Sequence, residues 1–170
     1  MNKISPEANI ILTGFMGAGK STVGKGLARR LDRTFVDTDQ EIELSENMKI
    51  PAIFAERGEA YFRSLEQKLI KTYVKPQRLI VSTGGGALIH EASRLLMLKH
   101  NFVVCLWVEP DVIQFRLEKA SHRPLAANWE ALFRSREAIY RSFPNLIDAS
   151  QKGPARIVKE IEGLWLNALK

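Results

Sequence analysis

Gly14-Phe15-Met16-Gly17-Ala18-Gly19-Lys20-Ser21 fits G-x-x-x-x-G-K-[ST] without a mismatch, and few eight-residue strings restrict a fold as tightly. The loop works only between a buried strand and a helix. Its glycines let successive backbone N–H groups converge on phosphate oxygens, and the helix that follows adds the positive end of its dipole. Both flanks have the required character. Residues 9–13, with Ile10, Ile11 and Leu12 at their centre, read as a buried strand, and residues 22–31 carry apolar side chains at helical spacing. Lys20 is expected to reach the β- and γ-phosphates, with the Ser21 hydroxyl on Mg²⁺. A chance glycine-rich turn carrying Lys-Ser would lack that setting, so the stretch predicts a nucleoside triphosphate site.

A chain of 170 residues is expected to form one domain, residues 1–170, with a substantial core. Its longest unbroken apolar run, residues 102–108, is far too short to span a bilayer. Residues 1–8 lack the apolar core of a signal peptide, so a cytoplasmic location is expected and no membrane partner. The single cysteine, Cys105, lies inside that apolar run and is expected to be a buried thiol; one cysteine excludes an internal disulfide framework. The formal net charge of +6 raises a nucleic-acid reading, but the lysines and arginines are scattered, with no basic run of five. A nucleotide together with an acidic small substrate accounts for part of the excess equally well.

Along the chain, apolar strands alternate with amphipathic helices, the pattern of an α/β domain. Strands are expected at 34–37, 79–82, 102–108 and 146–148 after the first. Helices are expected at about 39–46, from Pro51 with a break at Gly58 and resumption over 59–73, at 89–99, from Pro110 to about 119, at 128–142 and at the C-terminus. Residues 120–127 read as a loop. The last helix places Ile157, Val158, Ile161, Leu164, Trp165 and Ala168 on one apolar face. Parallel strands with helical crossovers give a three-layer α/β/α arrangement around a five-stranded parallel sheet, with ligands at the carboxyl ends of the strands.

That rule selects the polar residues of interest. Strand one ends at the phosphate loop, strand two at Asp37-Thr38-Asp39 and strand three at Gly84-Gly85-Gly86, so all three should meet in one crevice. Two aspartates one residue apart leave a strand end in different directions, and one can face a metal while the other faces a substrate hydroxyl. An aspartate N-cap for the next helix is the alternative, and Asp39 could fill both roles. Three arginines stand out: Arg63 on a helix among Tyr61 and Phe62, Arg123 beside Pro124 in the expected loop, and Arg136 four residues before Tyr140. Taken singly, a helix arginine such as Arg63 is usually a solvated charge. Arg123 could be an idle surface charge or a mobile clamp for a transferring phosphate, and Arg136 by its spacing alone says little.

Together these landmarks resemble the shikimate kinase family, from about Asn9 to Pro154. The phosphate loop is similar to the family's form almost letter for letter. Phe35-Val36-Asp37-Thr38-Asp39 resembles its Asp-x-Asp motif, Gly58-Glu59-Ala60-Tyr61-Phe62-Arg63 its Gly-Glu-x-x-Phe-Arg motif, and Ser82-Thr83-Gly84-Gly85-Gly86 its second nucleotide motif. Arg123-Pro124-Leu125 resembles its lid, and Arg136 with Tyr140 its final Arg-x-x-x-Tyr element. Ala138-Ile139 departs from the commoner Pro-Leu, and residues 150–154 match the adenine loop only loosely.

The resemblance implies a P-loop kinase fold with a mobile lid at about 119–127 and a substrate-binding segment at about 39–66. It implies ATP and shikimate as small-molecule substrates, Mg²⁺ as cofactor, and a monomer. Asp39, Arg63 and Arg136 would bind shikimate, Asp39 at the hydroxyls and the arginines at the carboxylate, with Gly84, Gly85 and Gly86 lining the pocket. Ser21 and Asp37 would hold Mg²⁺. ATP would contact Gly17, Ala18, Gly19, Lys20, Ser21 and Thr22, with Arg116 on the adenine and Gly153-Pro154 on its other side. Arg123 would close over the γ-phosphate, making Lys20, Asp39 and Arg123 the catalytic set. A kinase for another polyol acid such as gluconate, and a nucleic-acid-stimulated ATPase, are the rival readings. A GTPase-type switch would need Asn/Thr-Lys-x-Asp for guanine, and no such string occurs.

Overall fold

The computed structural model describes residues 4–119 and 128–170. The expected loop at 120–127, with Arg123 and most of the expected lid, lies outside the described residues. Five strands, β1 (Ile10–Thr13), β2 (Thr34–Asp37), β3 (Leu79–Ser82), β4 (Phe102–Trp107) and β5 (Leu146–Asp148), form one parallel sheet in the order β2-β3-β1-β4-β5. Helices on both faces leave the central strands no water to meet, which is why β1 and β4 are buried along their whole length and, Thr13 apart, apolar. The edge strand β2 can keep Thr34 exposed.

Helix α1 (Lys20–Leu31) packs beside the last helix, α7 (Pro154–Ala168), and covers β1, β2 and β3. α7 buries Ile157, Val158, Ile161 and Trp165, the expected face. Between them lie α2 (Thr38–Glu46), α3 (Ile50–Thr72), α4 (Glu91–His100), α5 (Pro110–Lys119) and α6 (Trp129–Arg141). α4 and α6 pack against β4. Pro51 sits in the first turn of α3, where its missing N–H costs nothing. Gly58 interrupts α3 as expected: its backbone, at φ 78° and ψ 166°, is a conformation that side chains rarely adopt. α4 begins two residues later than expected. The triple-glycine loop runs on into turns, with Ala87 N–H donating to Gly84 O at 3.1 Å and Ile89 N–H to Gly86 O at 3.1 Å, so those donors are already committed.

The main core fills the space around the sheet and includes Ile11, Leu12, Leu27, Val81, Val104 and Ile161. A separate small cluster of Ile42, Ile53 and Phe62 lies under α2 and α3, and Leu69 packs against both. Cys105 is buried, and burial pushes its thiol up to about 12 although Lys20 pulls the other way. Among the described residues no helix is long and apolar enough to cross a membrane.

Candidate active site

Adjacent β1 and β3 bring the phosphate loop and the triple-glycine loop together at their carboxyl ends. Thr83 N–H donates to Leu12 O at 2.9 Å, continuing the ladder past the strand. At Gly14, φ is +131° and the Leu106 carbonyl occupies the place of a side chain, so only glycine fits there. Lys20 Nζ donates to the loop's own carbonyls, Gly14 O at 2.8 Å and Phe15 O at 2.9 Å. The cation is thus held at the centre of the loop. Gly19 caps α1 at φ 89° without a side chain, which leaves the first helical N–H groups to an anion. Arg116 spans the far side, donating to Gly17 O at 3.1 Å and Ala149 O at 2.8 Å. Ala149 precedes the turn into α7, whose first residues are Gly153, the N-cap, and Pro154.

The register pairs Asp37 with Ser82 across β2 and β3. The Ser21 hydroxyl donates to Asp37 Oδ2 at 2.7 Å and lies 3.5 Å from Ser82 Oγ. The other oxygen of Asp37 accepts from Asp39 N–H at 3.1 Å, so Asp37 is the N-cap of α2. Asp39 is left inside the first helical turn. A hydroxyl and one carboxylate suit Mg²⁺, a hard cation that keeps waters and leans on substrate phosphates rather than a full protein cage. Among the described residues there is no cluster of three His, Cys, Asp or Glu able to hold a metal.

The other half of the crevice is built on α2, α3 and the triple-glycine loop. Thr38 Oγ1 accepts from Gly84 N–H at 3.0 Å and locks the loop to β2's end. A side chain begun at Gly84 would meet Asp39 Oδ1 and Glu66 Oε1, each at 2.6 Å; the same construction at Gly86 meets the Arg63 guanidinium. Asp39, Glu66 and Arg63 therefore crowd one wall of glycine backbone. Arg63 donates to Glu66 Oε2, and to Glu59 Oε1 through NH2 at 2.9 Å and Nε at 3.1 Å. Burial works against the Arg63 cation, but Glu66 and Glu59 outweigh it and hold its pKa above the ordinary value. Glu66 is 3% exposed, and its Oε1 has no hydrogen-bond partner among the described residues. Burial pushes its carboxyl upward beyond what Arg63 offsets; Asp39 adds to the rise and Arg136 opposes it. Arg136, half-buried on α6, is near enough for its charge to act on Glu66, so it borders the cluster of Asp39, Arg63, Glu66 and the glycine wall.

Glu66, Thr38 and Tyr140 are site residues that sequence reasoning passed over or left without a role. Glu66 carried a readable signal: it stands at i+4 between buried Phe62 and Ile70, where an apolar residue belongs. A carboxylate in that stripe needs a partner. Chemically, the wall offers a carboxylate to orient a hydroxyl and guanidinium groups for planar bidentate pairing with a carboxylate.

The family model for shikimate kinase matches residues 16–164. A curated shikimate kinase from Sulfurihydrogenibium sp. (strain YO3AOP1) is 45% identical over 157 residues, covering 90% of this chain and 95% of that one. A solved shikimate kinase from Acinetobacter baumannii, in complex with shikimate, superposes with a TM-score of 0.87 at 34% identity, covering 96% of each chain. A gluconokinase from Sinorhizobium meliloti shares the fold alone, at 16% identity and a TM-score of 0.62, covering 96% of this chain and 91% of that one.

Proposed function

This chain belongs to the shikimate kinase family, and from that premise we propose how its residues divide the work of phosphoryl transfer. The reaction is the ATP-dependent phosphorylation of shikimate to shikimate 3-phosphate and ADP, a step of aromatic amino acid biosynthesis. The observation that carries the division of roles is the contact between two glycine loops. A side chain begun at Gly85 would lie 3.5 Å from Gly14 O and from Met16 N, so the wall holding Asp39 and Arg63 abuts the phosphate loop.

In this reading Gly17, Ala18, Gly19 and Thr22 cradle the phosphates, and Lys20 exchanges its loop carbonyls for the β- and γ-phosphate oxygens. Arg116 and Gly153-Pro154 flank the adenine. Ser21 and Asp37 hold Mg²⁺, which supplies charge neutralisation across the phosphates when bound. Arg63 and Arg136 pair with the shikimate carboxylate, Gly84, Gly85 and Gly86 line its ring, and Asp39 accepts a hydrogen bond from the reacting hydroxyl and aims its oxygen in line. Phosphoryl transfer needs little covalent help, so positioning and charge supply most of the rate. Arg123 is the proposed cation that closes over the γ-phosphoryl from the lid. The enzyme acts as a monomer in the cytoplasm, without nucleic acid.

Coupled ADP release with shikimate, gluconate, quinate and no acceptor tests this assignment. Turnover is expected with shikimate alone. Preference for gluconate, or stimulation by DNA or RNA with a steep salt dependence, would overturn it.

A further inference from the structure

Tyr140 touches both glycine loops. It is 1% exposed, and its hydroxyl donates to the Gly85 carbonyl at 2.7 Å. Its ring stands edge-on to Phe15 of the phosphate loop, 6.3 Å between centroids at 76°. Phe15 in turn meets Phe133, one face of α6 further back, at 5.2 Å and 88°. Arg136 lies one turn before Tyr140 on α6, near enough for its charge to act on the phenol. Burial pushes the phenol up to about 12, against the pull of Arg136, so the hydroxyl keeps its proton and stays a donor throughout the working range.

The bond to Gly85 has a directional consequence. In a trans peptide the C=O and the following N–H point in opposite directions. Pinning the Gly85 carbonyl toward α6 therefore aims the Gly86 N–H away from α6. It also fixes where the backbone meets Arg63, since Gly86 lies against that guanidinium.

We propose that Tyr140 is a positioning residue for the acceptor: through Gly85 and Arg136 it sets the triple-glycine wall and the α6 arginine in one register, and through Phe15 it ties that register to the phosphate loop. This rests on the reading of Arg136 and the glycine wall as the shikimate subsite. A residue that only filled the core would affect folding and both substrates alike. One that positions the acceptor must affect it selectively, and the share that runs through Arg136 must disappear when Arg136 is absent.

The test is a double-mutant cycle of Tyr140→Phe, Arg136→Ala and the pair, with equilibrium shikimate binding and the KM for ATP measured on the full chain. Tyr140→Phe keeps the ring against Phe15 and removes the donor. It is expected to weaken shikimate binding about tenfold, equivalent to about 1.4 kcal/mol, with the KM for ATP within about twofold. In the Arg136→Ala background its added effect should fall below about threefold. Equal losses for ATP and shikimate, an undiminished effect without Arg136, or no effect at all would overturn the proposal. Should the phenylalanine variant not fold, 3,5-difluorotyrosine at 140 keeps the shape and lowers the phenol's pKa. The titratable groups that face it are the Arg136 and Arg63 cations, from α6 and α3, and the neutral Cys105 thiol from β4. As it ionises it can no longer donate to Gly85, so shikimate affinity must fall with rising pH where the native enzyme's does not; parallel profiles refute the idea. Absence of shikimate-dependent ADP release in the native enzyme would refute the functional reading itself, whereas native activity with an unaltered Tyr140→Phe refutes only the role of Tyr140.

Discussion

Gly84→Ala isolates the acceptor wall. Gly84 is buried, and its φ lies outside the left-handed region, so alanine is conformationally allowed and the effect is steric. The added methyl would sit 2.6 Å from both Asp39 Oδ1 and Glu66 Oε1, where ordinary contact begins near 3.4 Å. Each carboxylate must retreat by about 0.8 Å. Neither has an easy path, because Glu66 is buried and tied to Arg63 and Asp39 belongs to the first turn of α2. Overpacking of this kind costs about 1–3 kcal/mol, which lowers Tm by roughly 2–12 °C in a domain of this size. Misplacing a substrate-orienting group by about 1 Å costs on the order of 100-fold in rate. Coupled ADP release should therefore show kcat reduced about 100-fold with the KM for ATP almost unchanged. Gly163→Ala serves as the control, since a side chain there meets nothing within 4 Å; in a helix interior it should stabilise by about 0.5–1 kcal/mol and leave activity intact. A Gly84→Ala enzyme with kcat within threefold of native and an unchanged shikimate KM would refute the geometric reasoning.

Asp37→Asn should raise the Mg²⁺ concentration needed for half-maximal activity, whereas Asp39→Asn should lower turnover at any Mg²⁺ concentration; superimposable metal titrations would dissolve that distinction. Arg63→Ala should weaken shikimate binding by about 2–5 kcal/mol, much of it from the stranded carboxylate, while equilibrium ATP binding holds; an equal loss for ATP would contradict the site. Because the folded protein holds the Glu66 carboxyl above its ordinary pKa, the native state binds the extra proton. That share of stability is complete below the usual glutamate range and is lost as pH rises through the raised value. Urea midpoints measured across that window should fall with pH in the native enzyme and flatten in Glu66→Gln; parallel slopes would exclude Glu66 as the source.

The strands and helices were legible because an all-parallel sheet writes itself as short apolar runs separated by amphipathic stretches, and the break at Gly58 was legible because glycine cannot hold a helix well. The phosphate loop was legible by itself, since its chemistry is carried by backbone at fixed spacing. Asp37 was half legible: the spacing allowed either aspartate to cap α2, and only the strand register with Ser82 shows that Asp37 does so while also facing Ser21. The arginines were legible only as a family resemblance. Arg63 read singly as a surface charge because the carboxylates that hold it, Glu59 and Glu66, are ordinary-looking helix neighbours until Glu66 proves buried. Tyr140's hydroxyl bond to Gly85 spans 55 residues of sequence, and no local pattern encodes such a contact.

The separate cluster of Ile42, Ile53 and Phe62 has a consequence for how specificity can change. It supports α2 and α3, the helices that present Asp39, Arg63 and Glu66, and it meets the main core through Leu69. Substitutions there are expected to act first on the helices that carry Asp39 and Arg63, and only through Leu69 on the core around the sheet. The α2–α3 pair thus carries Asp39, Arg63 and Glu66 on an apolar support of its own, whereas Asp37 at the end of β2, the triple-glycine loop and Arg136 on α6 stay with the main body.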